Sequence, residues 1–485
     1  MLIPLKLVRD QQLQQQLFDQ LRDLIVSGRL LPGARMPSSR MMAEQFAISR
    51  MTVLLTYERL VAEGCLETRP ANGTFVAHRR GFPRPGVAEP PSPYEFPGSA
   101  AAAPETSVGC SDPSLFPARR WRSLMRAGLD SLGTHMAPEH PAGFRALRDA
   151  IARWLSTSRG LSVTPDQVML LKSRQQALHL AAHLASSMWR GGGARRVERI
   201  VVEDPCDGQA AATLAAERGE LVRVAVDMDG LRTDRLPDGD AALIHVTPEH
   251  QRPLGVTLAH DRRLGLLNWA ARTGALIVEE DCEGELRYGD MHIPSLMSLD
   301  TRESVVLIGG FCVSLGPWLD TAFIVLPRSL VAAAQTVRRL IDDSRSTLEQ
   351  MALARFLEGG GYPRHLHRVT KAYASRRDVL VAALRRNFGG RLLIWGQQAG
   401  LHLAWFPAPE FGSAELIATL ARRHGLNAAS TGDGVVLLGF GMPDEQHIEA
   451  AVGHLAENLP AGEERIISAV PAMAIGPAEL SRAVR

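Results

Sequence analysis

At 485 residues the chain has room for two to four domains of roughly 100–200 residues each, and for a sizeable buried core. Its 54 Lys+Arg against 52 Asp+Glu leave a formal charge of +2, which excludes a polymer that coats nucleic acid or membrane by charge alone, so any nucleic-acid contact is local. Apolar residues at 45% and charged residues at 22% are ordinary globular usage and exclude wholesale disorder.

In chain order, Leu13, Leu17, Leu21, Leu24 and Ile25 recur at helical spacing, and Ser27-Gly28 ends the run as a turn. A second helix starts after Pro37, with Ser38 or Ser39 as its cap, and runs to about Phe46. Ser49 caps a third, whose predicted buried stripe is Val53, Tyr57, Leu60 and Val61 and which Gly64 stops. Arg50, Thr52, Thr56 and Arg59 are expected to face outward. Two β-prone pieces follow, Cys65–Thr68 and Thr74–Val76, joined through Asn72-Gly73, a strong hairpin signal. Three helices and a hairpin describe a winged helix-turn-helix over residues 1–77.

A helix laid in the major groove needs short polar or cationic side chains at its amino-terminal end, where base edges and phosphates lie within reach. Ser49, Arg50 and Thr52 occupy that end. Arg35 and Arg40 flank Pro-Ser-Ser and are placed to pin phosphates, and the Asn72-Gly73-Thr74 tip is placed to enter the minor groove. From Lys6 to Arg80 eleven Lys+Arg stand against seven Asp+Glu, so the pattern carries more than the charge.

Residues 78–110 repeat Pro, Gly and Ala with almost no apolar periodicity and read as a linker. From 111 to 461, short β-rich runs alternate with helical ones. Strands are predicted at Ile200–Glu203, Ala242–Val246, Ala275–Glu279, Val305–Ile308 and Thr321–Leu326, with helices such as Gln209–Arg218 and Asp261–Arg272 between them. The fold class is α/β with a mostly parallel sheet. Gly400–Phe406, a helix over Ser413–His424, Gly434–Phe440 and a helix over Asp444–Leu459 predict a smaller C-terminal α+β subdomain. Residues 462–485 lose the pattern and are expected to form a poorly ordered tail. The five cysteines, at 65, 110, 206, 282 and 312, form no Cys-x-x-Cys, so no metal site is predicted, and the dispersed set fits a reducing cytoplasm. No window approaches the ~20 apolar residues of a membrane span, and a soluble cytoplasmic chain is expected.

The stretch LRDLIVSGRLLPGARMPSSRMMAEQFAISRMTVLLTYERLVAEGCLETRPANGTFVA resembles the GntR-type winged helix over its full length. The resemblance implies a double-stranded DNA operator as partner and DNA contacts from Arg35, Arg40, Arg50, Thr52 and Gly73. Downstream, DPSLFP at 112–117, HPAGFRALRDAIARWL at 140–155, SRQQAL at 173–178, VVEDP at 201–205, TPEHQRPLG at 247–255, VEEDCEGELRY at 278–288 and AGLHLAWFP at 399–407 are similar to fold type I aminotransferases. The version they resemble is the one fused to a GntR-type domain in MocR-type regulators, which implies a homodimer.

In such enzymes pyridoxal phosphate is held as a Schiff base on a lysine, because an imine exchanges with a substrate amine. The only lysines here are Lys6, Lys172 and Lys371. Where the family reads Gly-Thr-x-Ser-Lys-Thr-Leu-x-Pro-x-Leu-Arg-x-Gly, this chain reads GGFCVSLGPWLDTA at 309–322. On that match the lysine position is Val313, followed by Ser314, and the phosphate-binding arginine is Asp320. The aspartate that pairs with the pyridine nitrogen is Glu280, and the tyrosine two residues on is Cys282. The phosphate loop carries Ser173 and Gln175, the Gly-Tyr after Glu-Asp-Pro is Cys206-Asp207, and the carboxylate-clamping arginine falls near Leu437. Exchanging Lys for Val and Arg for Asp makes such a site three charges more negative, unfavourable for a phosphate ester.

No catalytic residue and no cofactor are therefore expected, pyridoxal phosphate entering by resemblance only. Lys172 reads as a solvated helix-start lysine rather than an anion holder, and His250 and Gln251, the family's His-Gln marker, as structural. The expectation is a regulator whose aminotransferase-like domain dimerises and senses a ligand other than covalent pyridoxal phosphate. Glu280, Asp320 and Asp207 suggest an amine or cation for that ligand. The alternatives are an active pyridoxal phosphate-dependent aminotransferase with a DNA-binding domain, and a ligand-free dimerisation scaffold.

Overall fold

The computed structural model describes residues 5, 12–26, 30, 33–69, 73–77, 108–131, 140–190, 199–217, 219–281, 283–289, 294–319, 321–341, 347–389 and 392–459. The predicted Ser27-Gly28 turn, Asn72, the body of the linker, Cys282, Asp320 and the tail from 462 lie outside these. The chain divides into two units, Met1–Glu95 and Phe96–Arg485.

In the first unit, α1 (Leu13–Val26), α2 (Ser39–Phe46) and α3 (Arg50–Ala62) precede an antiparallel pair, β1 (Leu66–Arg69) and β2 (Gly73–Val76). The Ser38 hydroxyl accepts from the Met41 amide to open α2, and Ser49 does the same for Met51 to open α3. Between them Ala47 takes a left-handed conformation that turns the chain. Leu17, Leu21, Met42, Val53, Leu60 and Val76 form the core. The Tyr57 hydroxyl donates to the Pro37 carbonyl at 2.9 Å and fixes α3 against the entry to α2. Two expectations on α3 are corrected. Thr56 is fully buried, because its hydroxyl is satisfied within the helix by donating to the Thr52 carbonyl at 2.8 Å, while Val61 is exposed at the rim.

The second unit begins with α4 (Ala118–Ser131), α5 (Arg145–Arg159), β3 (Val168–Leu171), α6 (Arg174–Arg190), β4 (Arg199–Asp204), α7 (Gly208–Ala215), β5 (Glu220–Asp227) and β6 (Gly230–Leu231). It continues through β7 (Leu243–Val246), α8 (His260–Thr273), β8 (Leu276–Asp281), α9 (Leu296–Leu299), β9 (Val305–Gly310), α10 (Cys312–Leu315) and β10 (Ala322–Val325). Helices α11 (Val331–Ile341), α12 (Thr347–Glu358) and α13 (Gly361–Phe388) lead to β11 (Leu393–Trp395), β12 (His402–Phe406), α14 (Ala414–Arg423), β13 (Asn427–Ser430), β14 (Val436–Gly439) and α15 (Glu445–Asn458).

Eight of the strands form one sheet in the order β3-β10-β9-β8-β7-β4-β5-β6. From β9 to β5 every pairing is parallel, while β10 runs against both neighbours and β6 turns back on β5. The Val/Ile-rich runs LIHV, LIVEE and VVLIGG are buried throughout, as strands covered on both faces must be. The predicted strands of this sheet are all present, and β3, β5 and β6 are additions.

A second, antiparallel sheet has the order β11-β12-β14-β13. Trp405 is fully buried there, its ring 4.7 Å from that of Phe388 on α13. The strand predicted from Gly400 starts at His402, because Gly400 holds a φ of +74° that no extended strand contains. The linker expectation is also corrected at its end. Val108 is 1% exposed and packs with Leu254, Ala404 and Leu437, so residues 108–110 belong to the folded second unit. Among the described residues no helix is long and apolar enough to cross a membrane.

Candidate functional site

The candidate DNA interface sits at the start of α3 and the adjoining hairpin. Ser49 and Arg50 are exposed and Thr52 and Thr74 half-buried, with the Arg50 Nε donating to the Ser39 hydroxyl at 3.2 Å. Arg35, Pro37, Ser38, Ser39, Gly73 and Thr74 line a concavity of about 430 Å³ on this unit. The Met36 amide donates to the Thr74 carbonyl and holds Arg35 beside Gly73. Arg40 is exposed and pairs with Glu44 at 3.1 Å. Most of the described predicted contacts therefore share one surface, with short polar groups and the exposed Ser49 and Arg50 at the start of α3, the residue types that major-groove reading uses.

The second site lies where the loops leave the carboxyl ends of β3, β4, β7, β8 and β9, the place where open parallel sheets bind ligands. Glu280, near the end of β8, is 3% exposed and both of its oxygens are engaged. Arg174, the first residue of α6, donates to Oε1 at 2.7 Å, and His245 on β7 donates to Oε2 at 2.9 Å. Burial opposes charge on this carboxyl, yet Arg174 and His245 hold it well below the usual range. Asp207 caps α7 by accepting from the amides of Gln209 and Ala210, and also meets Arg174 at 3.2 Å and Arg252 at 3.4 Å. These guanidiniums keep Asp207 ionised against its burial. Arg252 also bonds Glu283 at 2.7 Å.

This corrects the expected acidic cleft: Glu280 and Asp207 are paired internally, by two arginines that the sequence reading passed over. Arg174 directly follows Ser173 in the phosphate loop, and a retained carboxylate beside a missing lysine was the signal that a cation had to come from elsewhere. Lys172 is exposed, and its amide donates to Gln176.

The other described cleft positions are packed or bonded within the chain. Val313 is buried in an apolar cluster with Leu286, Val369 and Tyr373. Ser314 bonds the Tyr362 hydroxyl at 2.8 Å, and Tyr362 in turn bonds Glu285. The Ser173 hydroxyl accepts from the Gln176 amide and closes the end of α6. Gln175 bonds Gln209 at 2.7 Å, and Leu437 lies buried within β14. Each oxygen of Glu280 thus has a partner within the chain, and the apolar side chain at 313 has no amine with which to form an imine. Gln251 donates to Glu203 and to the carbonyls of Pro205 and Arg252, the structural role expected of it.

Glu203 is buried, and that burial pushes its carboxyl up to about 7 despite hydrogen bonds from Thr247 and Gln251. A carboxyl raised on folding stabilises the fold fully below its ordinary value near 4.3, and that contribution is lost as pH rises through about 7. Glu203→Gln is therefore expected to gain on the wild type as pH rises from 5 to 8, by on the order of 3 kcal/mol. Urea midpoints of both proteins across that range measure it, and parallel curves contradict it.

Residues 13–76 match the model of the bacterial regulatory proteins of the gntR family, and residues 118–441 match aminotransferase class I and II. The HTH-type transcriptional regulator YdeL of Bacillus subtilis is 31% identical over 420 residues, covering 85% of this chain and 88% of its own. The probable rhizopine catabolism regulatory protein MocR of Rhizobium meliloti is 32% identical over 417 residues, 81% of each chain. In structure, an archaeal alanine:glyoxylate aminotransferase superposes with a TM-score of 0.64 at 22% identity over 72% of this chain and 89% of its own, a likeness of fold alone. With a gntR-family winged helix leading into a class I and II aminotransferase domain, the chain belongs to the MocR-type regulators, DNA-binding proteins that control transcription.

Proposed function

We propose that the second unit of this regulator is a cytoplasmic signal-receiving and dimerising module that holds no Schiff-base cofactor and performs no transamination. The observation that carries the reading is the pairing of Arg174 with Glu280 beside a buried Val313. The carboxylate that would meet a pyridine nitrogen is already neutralised by the chain's own cation, and the side chain that would form an imine has no amine. Pairing of two copies follows from the aminotransferase resemblance, since that fold builds its cleft at a two-fold interface. Two winged helices then read two half-sites. A ligand signals through such a pair by preferring one arrangement of its domains.

On the DNA side, Arg50→Ala is expected to weaken operator binding by ~1–3 kcal/mol, because it removes a cation from the end of α3 that enters the groove. Arg50 is exposed, so folding stability should stay within about 0.5 kcal/mol of wild type. A gel shift at fixed salt measures the loss; unchanged affinity moves the interface away from the start of α3.

A further inference from the structure

Three metal-ligating atoms meet in one buried spot that the regulatory reading does not use. His250 follows β7, Glu283 follows β8, and His402 opens β12 of the second sheet. His250 Nε2 lies 3.3 Å from Glu283 Oε2 and 3.5 Å from His402 Nδ1, and His402 Nδ1 lies 3.8 Å from Glu283 Oε2. All three residues are buried.

The protonation pattern follows from the partners. His402 Nε2 is 2.9 Å from the Pro253 carbonyl, which only accepts, so the hydrogen is on Nε2 and the Nδ1 lone pair faces Glu283. Glu283 Oε1 takes Arg252, while Oε2 is buried with no hydrogen-bond partner. Two lone-pair atoms and His250 Nε2 thus face one another with at most one hydrogen among them. Gly400 keeps the space beside them open, since a Cβ there would stand 2.4 Å from both Glu283 Oε2 and His250 Nε2. Leaving aside the histidines, Asp207, Glu280 and Glu283 also outnumber Arg174 and Arg252 by one charge.

We propose that His250 Nε2, Glu283 Oε2 and His402 Nδ1 bind a divalent transition-metal ion of the Zn2+ class, with a fourth position open to water. Zinc bonds of about 2.0–2.2 Å in tetrahedral array place ligand atoms roughly 3.3–3.5 Å apart, and the three separations here are close to that. The carbonyl behind His402 and the guanidinium behind Glu283 are outer supports of the kind that orient metal ligands. A cavity of about 20 Å³ with room for a single water borders His402, one of the three ligands, between Gly109, Asp207, Arg252 and Pro253. Since His402 belongs to one sheet and the other two ligands to loops of the other, the ion cross-links the two sheets. The site stands whether or not the protein answers to a ligand, because an ion that only fastens the sheets is bound all the same.

Spacing conceals this set: His250 and His402 are 152 residues apart, and none of the three is a cysteine. The test uses the untagged full-length protein, stripped with a chelator, desalted and reloaded with Zn2+ or Co2+. About one equivalent of Zn2+ is expected to stay bound through desalting, and Co2+ is expected to give the intense visible bands of a four-coordinate site. Glu283→Gln and His402→Gln should each weaken Zn2+ binding by more than the roughly 10–100-fold that loss of a mere supporting residue costs. Wild-type protein that retains neither ion overturns the proposal, and does so whether or not a variant folds. Retention unchanged in a folded variant overturns it equally, by placing the metal elsewhere.

Discussion

Arg174→Ala is expected to cost the second unit roughly 3–5 kcal/mol, because it leaves a carboxylate buried without its cation. The Glu280 side chain is 1% exposed, and His245 alone remains to meet its charge. Asp207 loses one of its two guanidiniums in the same step. Glu280→Gln placed on the Arg174→Ala background should recover much of the loss, since the neutral amide has no charge to strand. The sign with pH is fixed by the direction of the shift. A carboxyl held below its ordinary value contributes stability above about 4.3, and that contribution fades as pH falls further, so the gap between wild type and Arg174→Ala closes in acid. Denaturant unfolding of the full chain at pH 7 and pH 4 reads both effects. A variant as stable as wild type at pH 7 would mean the pair carries no net stability.

Val313→Lys is expected to destabilise the second unit by about 3 kcal/mol or more without restoring a Schiff base. The new ammonium enters an apolar cluster that includes Leu286, Val369 and Tyr373. The charges near it do not single out a partner for it: burial raises the thiol of neighbouring Cys312, Arg174 and Arg252 act against that, and Glu283 acts with it. The charge of Glu280 is already met by Arg174 and His245. Absorbance between 300 and 500 nm with added pyridoxal phosphate, followed by borohydride reduction and intact mass, should show no aldimine in either wild type or Val313→Lys. A reduced adduct on Lys172 of the wild type would mean the cofactor has found another anchor, and the cofactor-free reading of the cleft would fail.

How much of this was readable in the chain depended on the range of the interaction. Periodicity and capping are local, so α3 begins at Arg50 as Ser49 announced, and of the two caps open for α2 the structure uses Ser38. The buried strands were equally plain, because LIVEE and VVLIGG are rich in β-branched residues and of strand length, as runs in a covered sheet are. Thr56 was misjudged because a threonine that bonds its own helix loses its polar character. The cleft was half legible. Val313 and Ser173 could be located by matching a motif, whereas the partners of Glu280 and Glu283 depend on which loops the sheet order brings together. Arg174, Arg252 and His402 are separated from those carboxylates by long stretches of chain, and no spacing rule connects them.

The closed end of α6 has a consequence for how this protein matures. In a helix that must await an anion, the first turn is finished only after the small molecule arrives. Here the Ser173 hydroxyl takes the Gln176 amide of that turn, the Gln176 side chain takes the Lys172 amide just before it, and Arg174 settles on Glu280 beside them. On the proposed cofactor-free reading, the domain is complete without waiting for a small molecule. If that reading holds, a cell starved of vitamin B6 should make as many working copies as a well-fed one, a useful independence for a controller that has to be present before conditions change.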